Sequence, residues 1–223
     1  MDLSGYHRGS RAMSAEPVIL IHGLWMAGAE MTLLGSRLAD AGFATTRFRY
    51  PSTQKGILQH ADALAEAVRQ NAGPRAPHLV CHSLGGLVAV TMLQRHPELP
   101  VGRVVALGSP LRGSWMARRL ARHGWGARML GFSYESALKN GVKPPVPVGI
   151  EMGSIAGTLS VIGANKIFRG LPEPSDGTVS LAETHLEGVA DHATVRATHM
   201  GLLLSTTAAE QTEWFLRGGS FAE

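Results

Sequence analysis

A short apolar run, Leu79-Val80, ends in Cys81-His82-Ser83-Leu84-Gly85-Gly86, and a helical pattern begins at Leu84. This stretch restricts the fold more than any other. A serine between a strand and a helix, with small residues two positions before and two after it, suits a turn tight enough to strain the serine backbone. Larger neighbours would collide. Such a turn lifts the hydroxyl above the carboxyl edge of a parallel sheet. It also aims a helix N-terminus, with its unpaired N–H groups and partial positive charge, at whatever the hydroxyl attacks. Taken alone, a serine before an apolar run is most simply a helix cap, so the rest of the chain has to decide between the two.

Upstream, Pro17 to Ile21 is a continuous run of β-branched and leucine residues, as expected for a strand covered on both faces, and it ends in His22-Gly23-Leu24-Trp25. Met31, Leu34, Leu38 and Ala41 recur at helical spacing, with Gly42 as the stop. Phe43 to Tyr50 reads as a strand closed by Pro51, and Ile57, Ala61, Leu64, Ala65 and Val68 share one helix face that Gly73-Pro74 ends. His78 to Cys81 is the strand before the serine, Leu84 to Arg95 the helix after it, and Val101 to Leu107 the next strand. This alternation predicts an α/β fold, with an open, mostly parallel central sheet flanked by helices.

With 223 residues, 44% of them apolar and 17% charged, the chain is expected to form one domain whose core needs no disulfide. Its one cysteine cannot pair internally, so a reducing, cytoplasmic location is expected. Residues 1–16 are polar, contain Gly, Ser and Arg, and lack the apolar centre of a secretory signal. They read as a flexible tail before a domain at 17–223, with Met13 as an alternative start. No stretch approaches membrane-spanning length.

The rhythm fails from Leu111 to about Gly149. Trp115, Trp125, Phe132 and Tyr134 mix there with Arg112, Arg118, Arg119, Arg122 and Arg128, ahead of Pro144, Pro145 and Pro147. Residues 111–149 therefore read as an insertion. Met152 to Ile162 recovers strand character, 163–177 reads as loop, Val189 to Thr198 as the last strand, and Met200 to Leu216 as a terminal helix. The net charge of +4 is modest and no basic run interleaves with stacking aromatics, so nucleic acid is not an expected partner. The inserted arginines read most simply as a solvated helix face. With Trp115 and Trp125 they also admit transient contact with an anionic lipid surface.

A nucleophilic serine needs a histidine to take its proton and a carboxylate to orient that histidine, both on loops at the same sheet edge. Two later loops supply them: Asp176 in Pro174-Ser175-Asp176-Gly177-Thr178-Val179, and His199 in Thr198-His199-Met200-Gly201. Asp191 and Glu173 compete with Asp176, and His185 and His192 with His199. His199 is preferred because it stands at a strand-to-helix junction. An oxyanion needs a pair of donors. The N–H of Leu84 is one; Gly23 lets the chain present the N–H of Leu24 as the other, with Trp25 the second choice. Trp25 and Trp115 are candidate substrate contacts, and the apolar surroundings suit an uncharged acyl group. Cys81 should point into the sheet as a small core residue, not act as the nucleophile. His82 is expected to shape the pocket wall. No metal-ligand spacing such as His-Glu-x-x-His occurs, and no cofactor is expected.

Together, His22-Gly23, Cys81 to Gly86, Gly108-Ser109-Pro110-Leu111-Arg112-Gly113-Ser114, Ser175 to Val179 and Thr198-His199 resemble the α/β-hydrolase superfamily, nearest to bacterial lipases and related esterases. The resemblance runs over about residues 17 to 216. The chain departs from the Gly-x-Ser-x-Gly pattern at Cys81, and from the lipase Gly-Thr-Pro-His-x-Gly-Ser segment at Ser109 and Leu111. It implies a Ser83-Asp176-His199 triad that cleaves small-molecule or lipid esters through an acyl-enzyme, and it makes 111–149 a cap or lid. The same groups would serve an acyltransferase or a thioesterase. A ligand-binding protein on the same fold is a third reading.

Overall fold

The computed structural model describes residues 15–160 and 170–222. The apolar runs become six parallel strands: β1 (Glu16–Ile21), β2 (Phe43–Phe48), β3 (His78–His82), β4 (Val104–Leu107), β5 (Met152–Gly157) and β6 (Asp191–Val195). They stand in the order β2-β1-β3-β4-β5-β6. The chain moves outward from β1 to β2 and then returns to add β3 on the other side. The loops leaving β1 and β3 therefore diverge at their carboxyl ends, which is where open α/β sheets form their crevice.

The two faces are covered by α1 (Thr32–Asp40), α2 (Ile57–Asn71) and α3 (Leu84–Arg95) together with α6 (Gly201–Leu204) and α7 (Thr206–Gly218), while α4 (Trp115–Ala121) and α5 (Gly124–Leu130) stand between β4 and β5 in the chain. Successive residues of β1 serve opposite sides. Ile19 and Ile21 pack into the core under α2 and α3, while Val18 and Leu20 pack with Leu34 of α1, Leu202 of α6 and Phe215 of α7. Both faces of the strand are thus apolar, as its unbroken run of Val, Ile and Leu requires.

Boundaries differ from the sequence reading in physically traceable ways. The last strand is shorter, and the terminal helix divides at Ser205, whose hydroxyl accepts the Ala208 N–H at 3.1 Å and starts α7 afresh. β4 begins at Val104 instead of Val101, because Gly102 donates to the Pro77 carbonyl at 2.9 Å outside the ladder. β2 ends at Phe48, and Tyr50 leaves the sheet for a bond described below. β5 ends at Gly157; Val161, Ile162 and the loop expected from 163 to 169 lie outside the described residues, as does nearly all of the tail.

Between β4 and β5 the chain makes α4, α5 and one π-helical turn, Tyr134–Leu138. Its entrance and exit are tied together where Ser114 N–H donates to Leu138 O at 2.7 Å and Val142 N–H to Leu111 O at 2.9 Å. The loop after β2 supports it from below, with Phe132 N–H donating to Thr53 O at 3.1 Å.

Helix α3 lies unusually close to β1. A Cβ on Gly85 would stand 2.6 Å from Ile21 O and 2.8 Å from His22 O, both backbone atoms that cannot swing aside. Gly85→Ala should therefore destabilise the fold by about 1–3 kcal/mol in urea unfolding. Gly73→Ala, where a Cβ meets nothing within 4 Å, should change it by less than about 1 kcal/mol. Equal midpoints for the two variants would contradict this packing.

Candidate active site

Ser83 occupies the N-cap position of α3, yet its side chain makes no capping hydrogen bond. Its backbone is in the positive-φ region, at φ 54° and ψ −121°. Ser83 N–H donates to Leu107 O at 3.0 Å, and Ser83 O accepts from Gly86 N–H at 3.1 Å. With both backbone groups tied, the strained conformation is fixed and the hydroxyl is left for other work. Trp25, at φ 60°, is the other non-glycine residue of positive φ among the described residues, and it faces the same crevice.

Asp176 is buried, and its three acceptor contacts settle its orientation. Oδ1 accepts the N–H groups of Thr178 at 2.9 Å and Val179 at 2.7 Å, while Oδ2 meets His199 Nδ1 at 2.7 Å. His199 N–H in turn donates to Asp176 O at 3.0 Å. A proton on Nδ1 directed at the carboxylate leaves Nε2 as the accepting nitrogen of a neutral ring. Gly108, at φ +56°, makes room for this pair: a Cβ there would lie 3.1 Å from both Asp176 Oδ2 and His199 Nδ1.

The competing candidates are engaged elsewhere. His185 and His192 stack on each other at 3.9 Å, and His192 Nε2 bonds Thr184 Oγ1 at 2.8 Å. Asp191 accepts the N–H groups of His192 and Phe221, and Glu173 meets Ser160 Oγ at 3.2 Å. Cys81 is a fully buried strand residue whose thiol burial pushes up, away from the reactive thiolate.

The loop after β1 is shaped by a residue that sequence reading gave no role. His22 Nδ1–H donates to Gly23 O at 2.8 Å, its Nε2 accepts Tyr50 N–H at 3.3 Å, and Tyr50 Oη–H donates to His22 O at 2.8 Å. Turning the Gly23 carbonyl toward the histidine turns the N–H of Leu24 the other way, because the two groups of a trans peptide are opposed. Among the described residues neither Leu24 nor Leu84 has an acceptor for its N–H. Trp25, the alternative donor, gives its N–H to Ser52 Oγ at 3.0 Å. The available signal for Tyr50 was its place at the end of a strand on the same sheet edge.

His82 was expected to line the pocket wall and is instead wholly buried behind His199. Its Nε2–H donates to the His199 carbonyl at 3.1 Å, and the two rings lie 4.7 Å apart. Burial and the neighbouring His199 push its pKa down to about 3. Burial likewise lowers His22 and His60. These rings stay neutral beside the crevice.

Ser83 and His199 open into one cavity of about 210 Å³, walled by Leu24, Met116, Leu120, Leu130 and Leu138, with Trp25 and Met200 also at its lining. Trp115 is not part of that lining. Its N–H is bonded to the Glu183 carboxylate, and its indole sits under Arg119, 5.6 Å from the guanidinium. A wider concavity of about 550 Å³ lies around His78, Arg103 and Glu151. That one is shallow, and the 2.6 Å Arg103–Glu151 ion pair holds its charges.

The sequence pattern of the alpha/beta hydrolase family matches residues 18–218, and the chain belongs to that family. Over 114 residues, 47% of the chain, it is 31% identical to lysosomal thioesterase PPT2-B of Xenopus laevis, a match that spans 39% of that protein. The Bacillus licheniformis lipase BlEst2 in mature form superimposes with a TM-score of 0.72 over 92% of each chain, at 18% identity. Carboxylesterase CesB (YbfK) of Bacillus subtilis does so with a TM-score of 0.60 over 93% of this chain and 85% of its own, at 17% identity. At those identities the likeness is one of fold.

The buried histidines give the fold a definite response to acid. Their folded pKa values lie below the ordinary 6.5, down to about 3 for His82, and half-buried His192 beside His185 is lowered to about 4, so unfolded chains take up protons that the folded state refuses. Stability present above pH 6.5 is therefore lost progressively as pH falls from there toward 3. Urea midpoints should drop between pH 7 and pH 5. A flat or rising trend would contradict the burial of neutral imidazoles.

Proposed function

We propose that the chain is a serine hydrolase that cleaves carboxylic esters of apolar acyl groups through an acyl-enzyme. The observation that carries this reading is the 2.7 Å Asp176–His199 hydrogen bond, with His199 opening into the same cavity as a serine held at φ 54°. Ser83 Oγ attacks the acyl carbon as His199 Nε2 takes its proton. Asp176 keeps Nε2 turned to the serine and stabilises the imidazolium. The N–H groups of Leu24 and Leu84 receive the oxyanion. When the tetrahedral intermediate collapses, the leaving alcohol takes the proton back from His199. Water then repeats the sequence on the acyl-serine, releasing the acid.

In this reading residues 111–149 are a cap. Met116, Leu120, Leu130 and Leu138 receive the acyl chain, and Trp25 stands at the mouth. An apolar cavity with few polar groups suits a hydrocarbon chain better than a sugar or a peptide.

A second reading, thioester cleavage by the same groups, is favoured by the 31% identity to a thioesterase. The two readings differ only in the leaving group.

Ser83→Ala and His199→Ala should each lower kcat/KM on a nitrophenyl ester by about 10⁴-fold or more, and Asp176→Asn by about 10³–10⁴-fold, with circular dichroism unchanged. Full activity in Ser83→Ala would end the nucleophile assignment. On an ethyl ester and an ethyl thioester of the same acid, the ester reading predicts the larger kcat/KM for the oxygen ester. A preference of about tenfold or more for the thioester assigns the second reading.

A further inference from the structure

Charge is divided unevenly along the chain. Residues 111–149 hold five arginines and two lysines against one acid, Glu135, so this segment carries +6; the whole chain carries +4, which leaves the remainder at −2. Lys139 is paired with Glu135 at 2.9 Å, and Arg118 lies 3.9 Å from Glu183. Among the described residues no carboxylate lies within ion-pair distance of Arg122 or Arg128, and both are exposed.

The same segment exposes large apolar side chains. Trp125 is 60% exposed, Met129 50% and Phe132 68%, and Trp25 beside them is 57% exposed. They form one patch. Trp125 and Met129 lie one turn apart on α5, and Trp25 Nε1–H donates to the Met129 carbonyl at 2.8 Å. Phe132 N–H donates to Thr53 O, next to the Ser52 whose hydroxyl receives Trp25 N–H. Arg122 precedes His123, whose ring stacks on Trp125 at 6.0 Å, and Arg128 adjoins Met129. Trp25 also lines the catalytic cavity, so the patch is continuous with the cavity mouth. The inner face of α5, with Gly126 and Leu130, is buried, which lays the helix flat with its aromatic side outward.

We infer that this patch docks the protein on a bilayer rich in anionic lipid, with the aromatics in the headgroup boundary and Arg122 and Arg128 over lipid phosphates. Helices that lie in such a boundary combine an apolar face with cations able to reach the phosphates from the same depth. A protein–protein interface has a different anatomy, because charge is depleted at its core and kept to the rim. Here Arg122 stands just before α5 and Arg128 on it, interspersed with the exposed Trp125 and Met129 and not set apart at a rim. The orientation directs the cavity mouth at the surface from which an apolar ester would enter. Binding itself requires no turnover, so failure of the ester chemistry and failure of docking are separately visible.

The test is co-sedimentation of the full chain with vesicles of phosphatidylcholine alone or with about one third phosphatidylglycerol, at low salt and at 0.5 M NaCl. The expected result is partition at least about tenfold stronger onto the anionic vesicles, lost at high salt. Arg122→Gln with Arg128→Gln should weaken that partition about 25-fold, roughly fivefold per arginine. Trp125→Ser should weaken it with a circular dichroism spectrum and thermal midpoint like those of the unaltered protein. Equal partition onto neutral and anionic vesicles, partition onto neither, or no effect of the double arginine variant would overturn the inference. Tighter binding to an acidic polypeptide such as polyglutamate than to vesicles would also overturn it and assign the patch to an acidic protein.

Discussion

The first turn of α3 passes the end of β1 at a distance that admits no side chain, since a Cβ on Gly85 would fall 2.6 Å from Ile21 O. With the helix that close to the sheet, the chain has no length in which to turn gradually between β3 and α3. Ser83 takes up the change of direction in one residue, at φ 54°. Such a conformation costs about 1–3 kcal/mol. The burial of Leu84, Leu87 and Val88 on α3, all inaccessible to water, offsets it. The same proximity draws the loop after β1 against the turn, where a Cβ on Gly23 would lie 3.0 Å from Ser83 Cβ. The raised serine and the loop that presents Leu24 are thus consequences of one packing distance.

Electrostatics then separates histidines that the sequence offers as equals. His22 and His82 are buried, spend their N–H groups on the carbonyls of Gly23 and His199, and are held neutral by burial. His199 alone of these three is bonded to a carboxylate. A ring with a carboxylate at Nδ1 and a cavity at its other nitrogen is suited to gain a proton during reaction, while the rings around it are not. Their neutrality also spares His199 from like-charge repulsion when it is protonated.

Much of this was legible in the sequence, because its causes are local. Pro17 to Ile21 reads as a doubly covered strand from its continuous apolar character, His78 to Cys81 as the short strand before the serine, and the small residues around Ser83 as a tight turn. Asp176 and His199 are preferred because a nucleophilic Ser83 needs both partners on loops at one sheet edge, and the structure brings those two together at 2.7 Å. What the sequence did not disclose depends on distant partners. Trp115 is held by distant and local partners together, its backbone N–H on the Glu183 carboxylate and its indole against Arg119, and no periodicity in a seven-residue helix records the Glu183 contact. The bond of His22 to Tyr50 crosses 28 residues, and the division of the last helix rests on which of several neighbouring hydroxyls takes an N–H.

The central claim is that Ser83 is a nucleophile activated by His199, and it is tested most directly by covalent capture. The protein is treated with a fluorophosphonate and digested, and the modified peptide is mapped by mass spectrometry. One adduct on Ser83 is predicted, formed at least about 10³-fold more slowly in His199→Ala. No adduct on folded protein, or an adduct on another residue that survives replacement of Ser83, would contradict it.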